Sequence, residues 1–114
     1  MKVRTEQVIS SAHSLPGYQG LCAKLHGHNW RIEVEIEGER VGGMVADFLL
    51  IKGIIKELDH QNLNDLIMNP TAENIVDYLL MRFSEALNYP NIEKIWVRVW
   101  ESDKSYAEDY YVNK

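Results

Sequence analysis

The sequence predicts an α+β protein, an antiparallel sheet in the order ββααββ with two helices on one face. Three observations carry that prediction. The stretch HNWRIEVEIEG, residues 28 to 38, alternates almost without fault: with His26 just before it, His28, Trp30, Ile32, Val34 and Ile36 share one face, and Asn29, Arg31, Glu33, Glu35 and Glu37 the other. That period of two belongs to a half-buried strand. Between residues 47 and 87 the apolar residues instead recur at helical spacing. Beyond them, KIWVRVWE alternates again.

Each element can be justified in order. Residues 2 to 13, KVRTEQVISSAH, mix β-branched and polar types and read as the first strand. A glycine-punctuated loop, GYQGLC, leads into the long alternating strand, which ends at a GERVGG turn. Asp47 caps a helix that carries Phe48, Ile51, Ile55 and Leu58 on one stripe and stops near Asp59-His60. Pro70 stands near the start of a second helix, capped by Asn69 or Thr71. Ile75, Val76, Leu79, Leu80, Phe83 and Leu87 form its apolar stripe, and NYPN closes it. A short final strand around residues 107 to 112 completes the hairpin with residues 94 to 101. Trp96 and Trp100 lie on the face opposite Ile95, Val97 and Val99, away from the helices. They are either a partly exposed aromatic pair or the seat of a neighbouring subunit.

The chain has 114 residues, 46% of them hydrophobic and 25% charged, the composition of one ordinary globular domain spanning 1–114. A net charge of −5 argues against a broad basic face for nucleic acid. No segment is long and apolar enough for a membrane span, and the first residues lack the apolar run of a secretory signal. A single cysteine makes no internal disulfide, so a reducing cytoplasm is the expected compartment. No G-x-G-x-x-G fingerprint points to a nicotinamide site.

The four histidines and the one cysteine are unevenly spread. CAKLHGHNW, residues 22 to 30, holds Cys22, His26 and His28, and His13 ends the preceding strand. Two histidines two apart on a strand project from the same face, and His13 could join them across the hairpin. Three neutral imidazoles would leave the fourth position of a tetrahedral zinc open, as catalytic sites do. Cys22 reads either as a thiolate activated by the nearby cation or as a fourth ligand that would close the site. Asp59-His60 reads as a carboxylate-oriented imidazole or as a cation at a helix C-terminus. Glu101 continues the parity of Val97 and Val99, which puts a carboxylate at the end of the core-facing row.

Together the segments SAHSLP, CAKLHGHNW, GMVADF, LDHQNLN, NPTAEN and VWES resemble, in order and over nearly the whole chain, the 6-pyruvoyltetrahydropterin synthase family. The C-x-x-x-H-G-H spacing is similar to the branch that forms 6-carboxy-5,6,7,8-tetrahydropterin on the way to queuosine. The aldolase-like branch carries a glutamate near the cysteine position, which Ala23, Lys24 and Leu25 do not supply. Ile9 departs from the phenylalanine common in the family.

The resemblance implies a tunnelling fold (T-fold) that assembles into a homo-oligomer, a trimer or hexamer with active sites at subunit boundaries. It implies Zn2+ on His13, His26 and His28, catalysis by Cys22, Asp59 and His60, and substrate binding by Glu101 and Thr71. The implied substrate is 7,8-dihydroneopterin triphosphate. Formation of 6-pyruvoyltetrahydropterin, another pterin conversion, or a non-catalytic zinc-binding oligomer are the alternatives.

Overall fold

The computed structural model describes residues 1–114. Its elements are β1 (Lys2–His13), β2 (His26–Gly38), α1 (Phe48–Lys56), α2 (Ala72–Ala86), β3 (Ile92–Ser102) and β4 (Ser105–Val112), with short 3-10 turns at Leu21–Ala23 and Leu63–Asp65. The four strands form one antiparallel sheet in the order β1-β2-β3-β4. Both helices pack on the same face, α1 over β1 and α2 over β3 and β4. This is the α+β architecture that the alternation and helical spacing predict, and it is T-fold-like, as the resemblance implies.

The alternation of β2 is realised residue by residue: Trp30, Ile32, Val34 and Ile36 are buried beneath the helices. Ile95, Val97 and Val99 from β3 join them, with Ile75, Val76, Leu79, Leu80, Phe83 and Leu87 of α2 closing the core from above. The stripe on α1 differs from expectation. Phe48 is 44% exposed, and Ile54 is buried in its place beside Ile51, Ile55 and Leu58. Phe48 sits in the first turn, directly after the Asp47 cap, before the helix has come down onto the sheet.

Helix α1 stops at Lys56 and gives way to turns through His60, slightly earlier than the expected end. Of the two candidate caps on α2, Thr71 does the capping, its hydroxyl accepting the Asn74 N–H at 3.1 Å. The last strand begins two residues before its expected start. At the far end of the β1–β2 hairpin only glycine fits position 38, because a Cβ there would lie 2.2 Å from the Asn91 carbonyl.

The opposite sheet face has no helix, yet its aromatic residues are not bare. Lys2 and Lys94 lie over Trp96, and Arg31 stacks on Trp100 at 4.3 Å. The centre of this face is Glu33, 9% exposed. It accepts from Arg4, from Arg98 at 3.3 Å and from the Trp100 indole at 3.1 Å. Burial works to raise the Glu33 carboxyl, but the Trp100 and Arg4 hydrogen bonds, with the Arg98 charge, outweigh it and hold it below its ordinary value.

A carboxyl depressed on folding adds stability at pH values above its unfolded pKa, and that stability is lost as the pH falls through the folded pKa. Glu33→Gln should therefore be less stable than the parent at neutral pH, by roughly 1.5–3 kcal/mol for bonds to a charged group. The deficit should shrink in acid. Denaturant titrations of both proteins from neutral to acidic pH measure it, and a deficit constant with pH would remove the Glu33 charge as its source.

Candidate metal centre and active site

The site is built on the loop end of the β1–β2 hairpin, where β1 finishes and β2 begins. His13 and His26 are directly opposite partners in the strand pairing, and His28 follows two residues along β2. Strand parity therefore sends all three imidazoles to the helix-covered face. His13 is buried; His26 and His28 are half-buried, and one nitrogen from each lies within 4.8 Å of the others.

Two backbone carbonyls fix the ring orientations. His13 Nδ1 is 2.7 Å from the Pro70 carbonyl, just before the start of α2, and His26 Nδ1 is 2.7 Å from the Lys24 carbonyl. A carbonyl only accepts, so each Nδ1 carries the proton and each Nε2 presents a lone pair. Those two Nε2 atoms face each other at 3.0 Å. Two lone pairs at that distance repel unless a proton or a metal ion lies between them.

The third ring favours a metal, because His28 Nε2 is buried with no hydrogen-bond partner. Tetrahedral zinc needs ligand nitrogens about 3.3 Å apart, close to the His13–His26 separation. The cluster is able to coordinate a metal ion, and its carbonyl-anchored imidazoles are the usual outer support of such a site. Burial, opposed by the Glu101 carboxylate, lowers the His28 pKa and so favours the neutral ring that ligation requires.

Cys22 lies in the 3-10 turn between the strands, half-buried, and is not a member of the three-histidine cluster. Its carbonyl accepts the Leu15 N–H at 2.9 Å, which ties the turn back to the end of β1. Glu101 stands at the end of β3 on the core-facing row, its Oε1 3.9 Å from His28 Nε2. It also borders a cavity of about 220 Å³ with Ala72, Glu73, Ser105, Tyr106 and Ala107, beside the start of α2. Thr71, the cap of that helix, follows the residue whose carbonyl holds His13.

Asp59 and His60 are held along the free edge of β1. Ser10 N–H donates to Asp59 Oδ1 at 2.8 Å, His60 N–H donates to the Ser10 carbonyl at 2.8 Å, and Ala12 N–H donates to the Gln61 carbonyl at 2.9 Å. His60 adopts a left-handed backbone, φ 54°, a conformation uncommon outside glycine that histidine tolerates better than most residues. The Ser10 N–H, together with the His60 ring, holds the Asp59 carboxyl below its ordinary value against partial burial.

Asp59 Oδ2 in turn sits 3.0 Å from His60 Nδ1, which leaves His60 Nε2 on a side chain that is 83% exposed. The dyad does not join the histidine cluster. His60 does share with His28 the lining of an open cavity of about 470 Å³, along Ser10, Ala12, Gly27 and Asn29. A Cβ at Gly27 would have the Ser11 carbonyl oxygen, 4.0 Å away, as its nearest neighbour.

Several contributors were not read from the sequence. The Pro70 and Lys24 carbonyls carry no side-chain signal at all. Ser11 is buried and accepts the Gln61 N–H at 3.2 Å while donating to the Leu58 carbonyl, so it pins the Asp59-His60 segment to β1. Its burial could have been anticipated from its parity with His13.

A β1–β2 hairpin converging three histidines, under two helices and beside a core-facing carboxylate, defines a particular class of protein. The chain belongs to the 6-pyruvoyl tetrahydropterin synthase family, whose sequence model matches residues 2–111. Among its relatives, an Archaeoglobus fulgidus protein provisionally named 6-carboxy-5,6,7,8-tetrahydropterin synthase is 45% identical over 106 residues, covering 88% of this chain and 87% of its own length. A dihydroneopterin monophosphate aldolase of Pyrococcus furiosus is 42% identical over 86 residues, covering 71% of this chain and 74% of its own. Among solved structures, a catalytic-residue mutant of Plasmodium vivax 6-pyruvoyltetrahydropterin synthase superposes with a TM-score of 0.76 at 22% identity, covering 98% of each chain. At that identity the likeness is one of fold.

Loss of one imidazole should dismantle the metal centre without unfolding the sheet. His28→Ala is expected to purify with far less than one zinc per chain and with a far-UV circular dichroism spectrum like the parent's. Zinc content equal to the parent's would remove His28 from the ligand set.

Proposed function

We propose that the protein is a zinc-dependent 6-carboxy-5,6,7,8-tetrahydropterin synthase of the cytoplasm, serving 7-deazaguanine and queuosine formation. It would convert 7,8-dihydroneopterin triphosphate and water to 6-carboxytetrahydropterin, acetaldehyde and triphosphate. The observation that carries this reading is the pair of tautomer-fixed Nε2 lone pairs of His13 and His26, 3.0 Å apart beside His28. Cys22, four residues before His26, supports the synthase branch.

Zinc, when bound by the three histidines, supplies Lewis acidity toward the hydroxyls of the substrate side chain. The remaining roles belong to the chain. Cys22 thiolate takes a proton from the side chain, and His60, oriented by Asp59, carries protons to and from solvent. The ring gains the hydrogens that the side chain gives up, so no external reductant is consumed. Glu101 receives the N–H groups of the flat heterocycle as a charge-assisted acceptor, in the cavity it shares with the start of α2. Thr71, the cap of that helix, is the second substrate-binding residue of this reading.

The exposure of His60 and its separation from the histidine cluster support a homo-oligomer, a trimer or hexamer, in which the dyad completes the site of a neighbouring copy. Mixing inactive Cys22→Ala with inactive His60→Ala subunits, after dissociation and reassembly, should then restore part of the activity. A fully active monomer by light scattering would exclude the shared site.

The similarity to the Pyrococcus furiosus aldolase gives a second reading, cleavage of a dihydroneopterin side chain without transfer of hydrogens to the ring. Incubating zinc-loaded protein with dihydroneopterin triphosphate and, separately, the monophosphate distinguishes the two by product mass. Acetaldehyde with 6-carboxytetrahydropterin is the expected result, and a phosphorylated glycolaldehyde with a hydroxymethyl dihydropterin would establish the aldolase.

Cys22→Ala should keep its zinc and lose turnover by roughly 10²–10⁴-fold, as for removal of one acid–base group. Zinc content measured on the same sample separates this from ligand loss: full activity, or zinc lost in step with activity, would each exclude the base role.

A further inference from the structure

Trp30 is fully buried, on the same face of β2 as His26 and His28, and its ring sits directly under the histidine cluster. It stands perpendicular to His13, with ring centroids 4.9 Å apart and an interplanar angle of 88°. Against His28 the centroids are 5.1 Å apart at 72°. Its indole N–H donates to the Ser11 carbonyl at 3.1 Å, so the ring is anchored to β1 as well as carried by β2. One side chain thus touches two of the three imidazoles from below and is itself fixed across the hairpin.

The His13 ring has a further constraint, the Pro70 carbonyl on its Nδ1. His28 has none of that kind: its Nε2 lacks a hydrogen-bond partner. Its ring is packed edge-to-face against His13 and His26 within the cluster, and Trp30 is the one aromatic contact outside the ligand set that limits its rotation. Aromatic pairs at these separations and angles are in their preferred geometry and favour one ring orientation over others.

We infer that Trp30 is a positioning residue for the metal centre, holding His13 and His28 in the orientation that converges their nitrogens before any ion arrives. The inference rests on the reading of the three histidines as a metal site and adds a residue to it. A role confined to filling the core would make Trp30 replaceable by any apolar side chain that keeps the sheet and helices together. A positioning role requires an aromatic ring.

The test compares Trp30→Leu and Trp30→Phe with the parent, each as the full chain. Zinc affinity is measured by competition with a chromophoric chelator, the visible spectrum of the cobalt-substituted protein reports ligand geometry, and the Tm of the metal-free protein reports core stability. Trp30→Leu is expected to bind zinc about 10–100-fold more weakly, the usual effect of losing an outer support of a metal ligand, with altered cobalt bands. Trp30→Phe should recover most of that affinity even where its Tm remains lowered. Parent affinity and cobalt spectrum in Trp30→Leu, or an affinity in Trp30→Phe as poor as that of Trp30→Leu, would overturn the inference.

Should Trp30→Leu fail to fold, the parent itself provides the measurement. Zinc should shift the indole N–H resonance of Trp30 but leave those of Trp96 and Trp100, on the other sheet face, in place; an unmoved Trp30 resonance would overturn the inference. A parent that binds no zinc would overturn the metal reading together with it, whereas a zinc-binding parent with an indifferent Trp30→Leu overturns the positioning role alone.

Discussion

The register of β1 against β2 is the constraint on which the rest depends. His13 lies opposite His26, and twelve consecutive residues of β1 have partners along β2. Because side chains alternate with a period of two, a slip by one residue would turn His13 away from His26 and His28 and put the Glu33 row into the core. The same register that buries Ile32, Val34 and Ile36 therefore brings the three imidazoles together. Core and site cannot be varied independently.

Both faces of the sheet reinforce that register by different physics. On the helix side the force is apolar burial, spread over a cluster from Ile9 to Val99. On the other side it is directional: Glu33 gathers Arg4 from β1 and Arg98 and Trp100 from β3, so one carboxylate on β2 is bonded to both neighbouring strands. A register shift would break those bonds and leave a largely buried charge without partners. Trp30 bridges the hairpin within the core, donating across it to Ser11. Around Ser10 to Ala12 the free edge of β1 is covered by residues 59 to 62, which pair its backbone groups there. That covering segment is also the one that presents His60.

The site thus divides into a rigid part and a presented part. Three imidazoles, two of them fixed by carbonyls and two braced by an indole, point inward under the start of α2. The Asp59-His60 dyad points outward from the strand edge, with its backbone held by Ser10 and its ring largely in solvent. A chemistry that needs both parts finds them on different sides of one strand.

Periodicity alone determined the sheet, the two helices and the common face of His26, His28 and Trp30, since covalent geometry makes the direction of a side chain in a strand a matter of parity. The motif order was enough to place the chain in its family. The α1 stripe was less legible: Phe48 and Ile54 are equally apolar, and which one is buried depends on how the helix descends onto β1. Parity likewise put Glu101 in the core-facing row, but not within reach of His28. What only the tertiary structure decided are contacts between segments far apart in the chain. The Pro70 carbonyl meets His13 across 57 residues, and the Ser10 N–H meets Asp59 across 49. Backbone carbonyls and N–H groups are common to every residue type and leave no trace in composition or spacing. Their placement follows from packing the helices on the sheet, and it is this packing that sets the tautomers of His13 and the direction of His60.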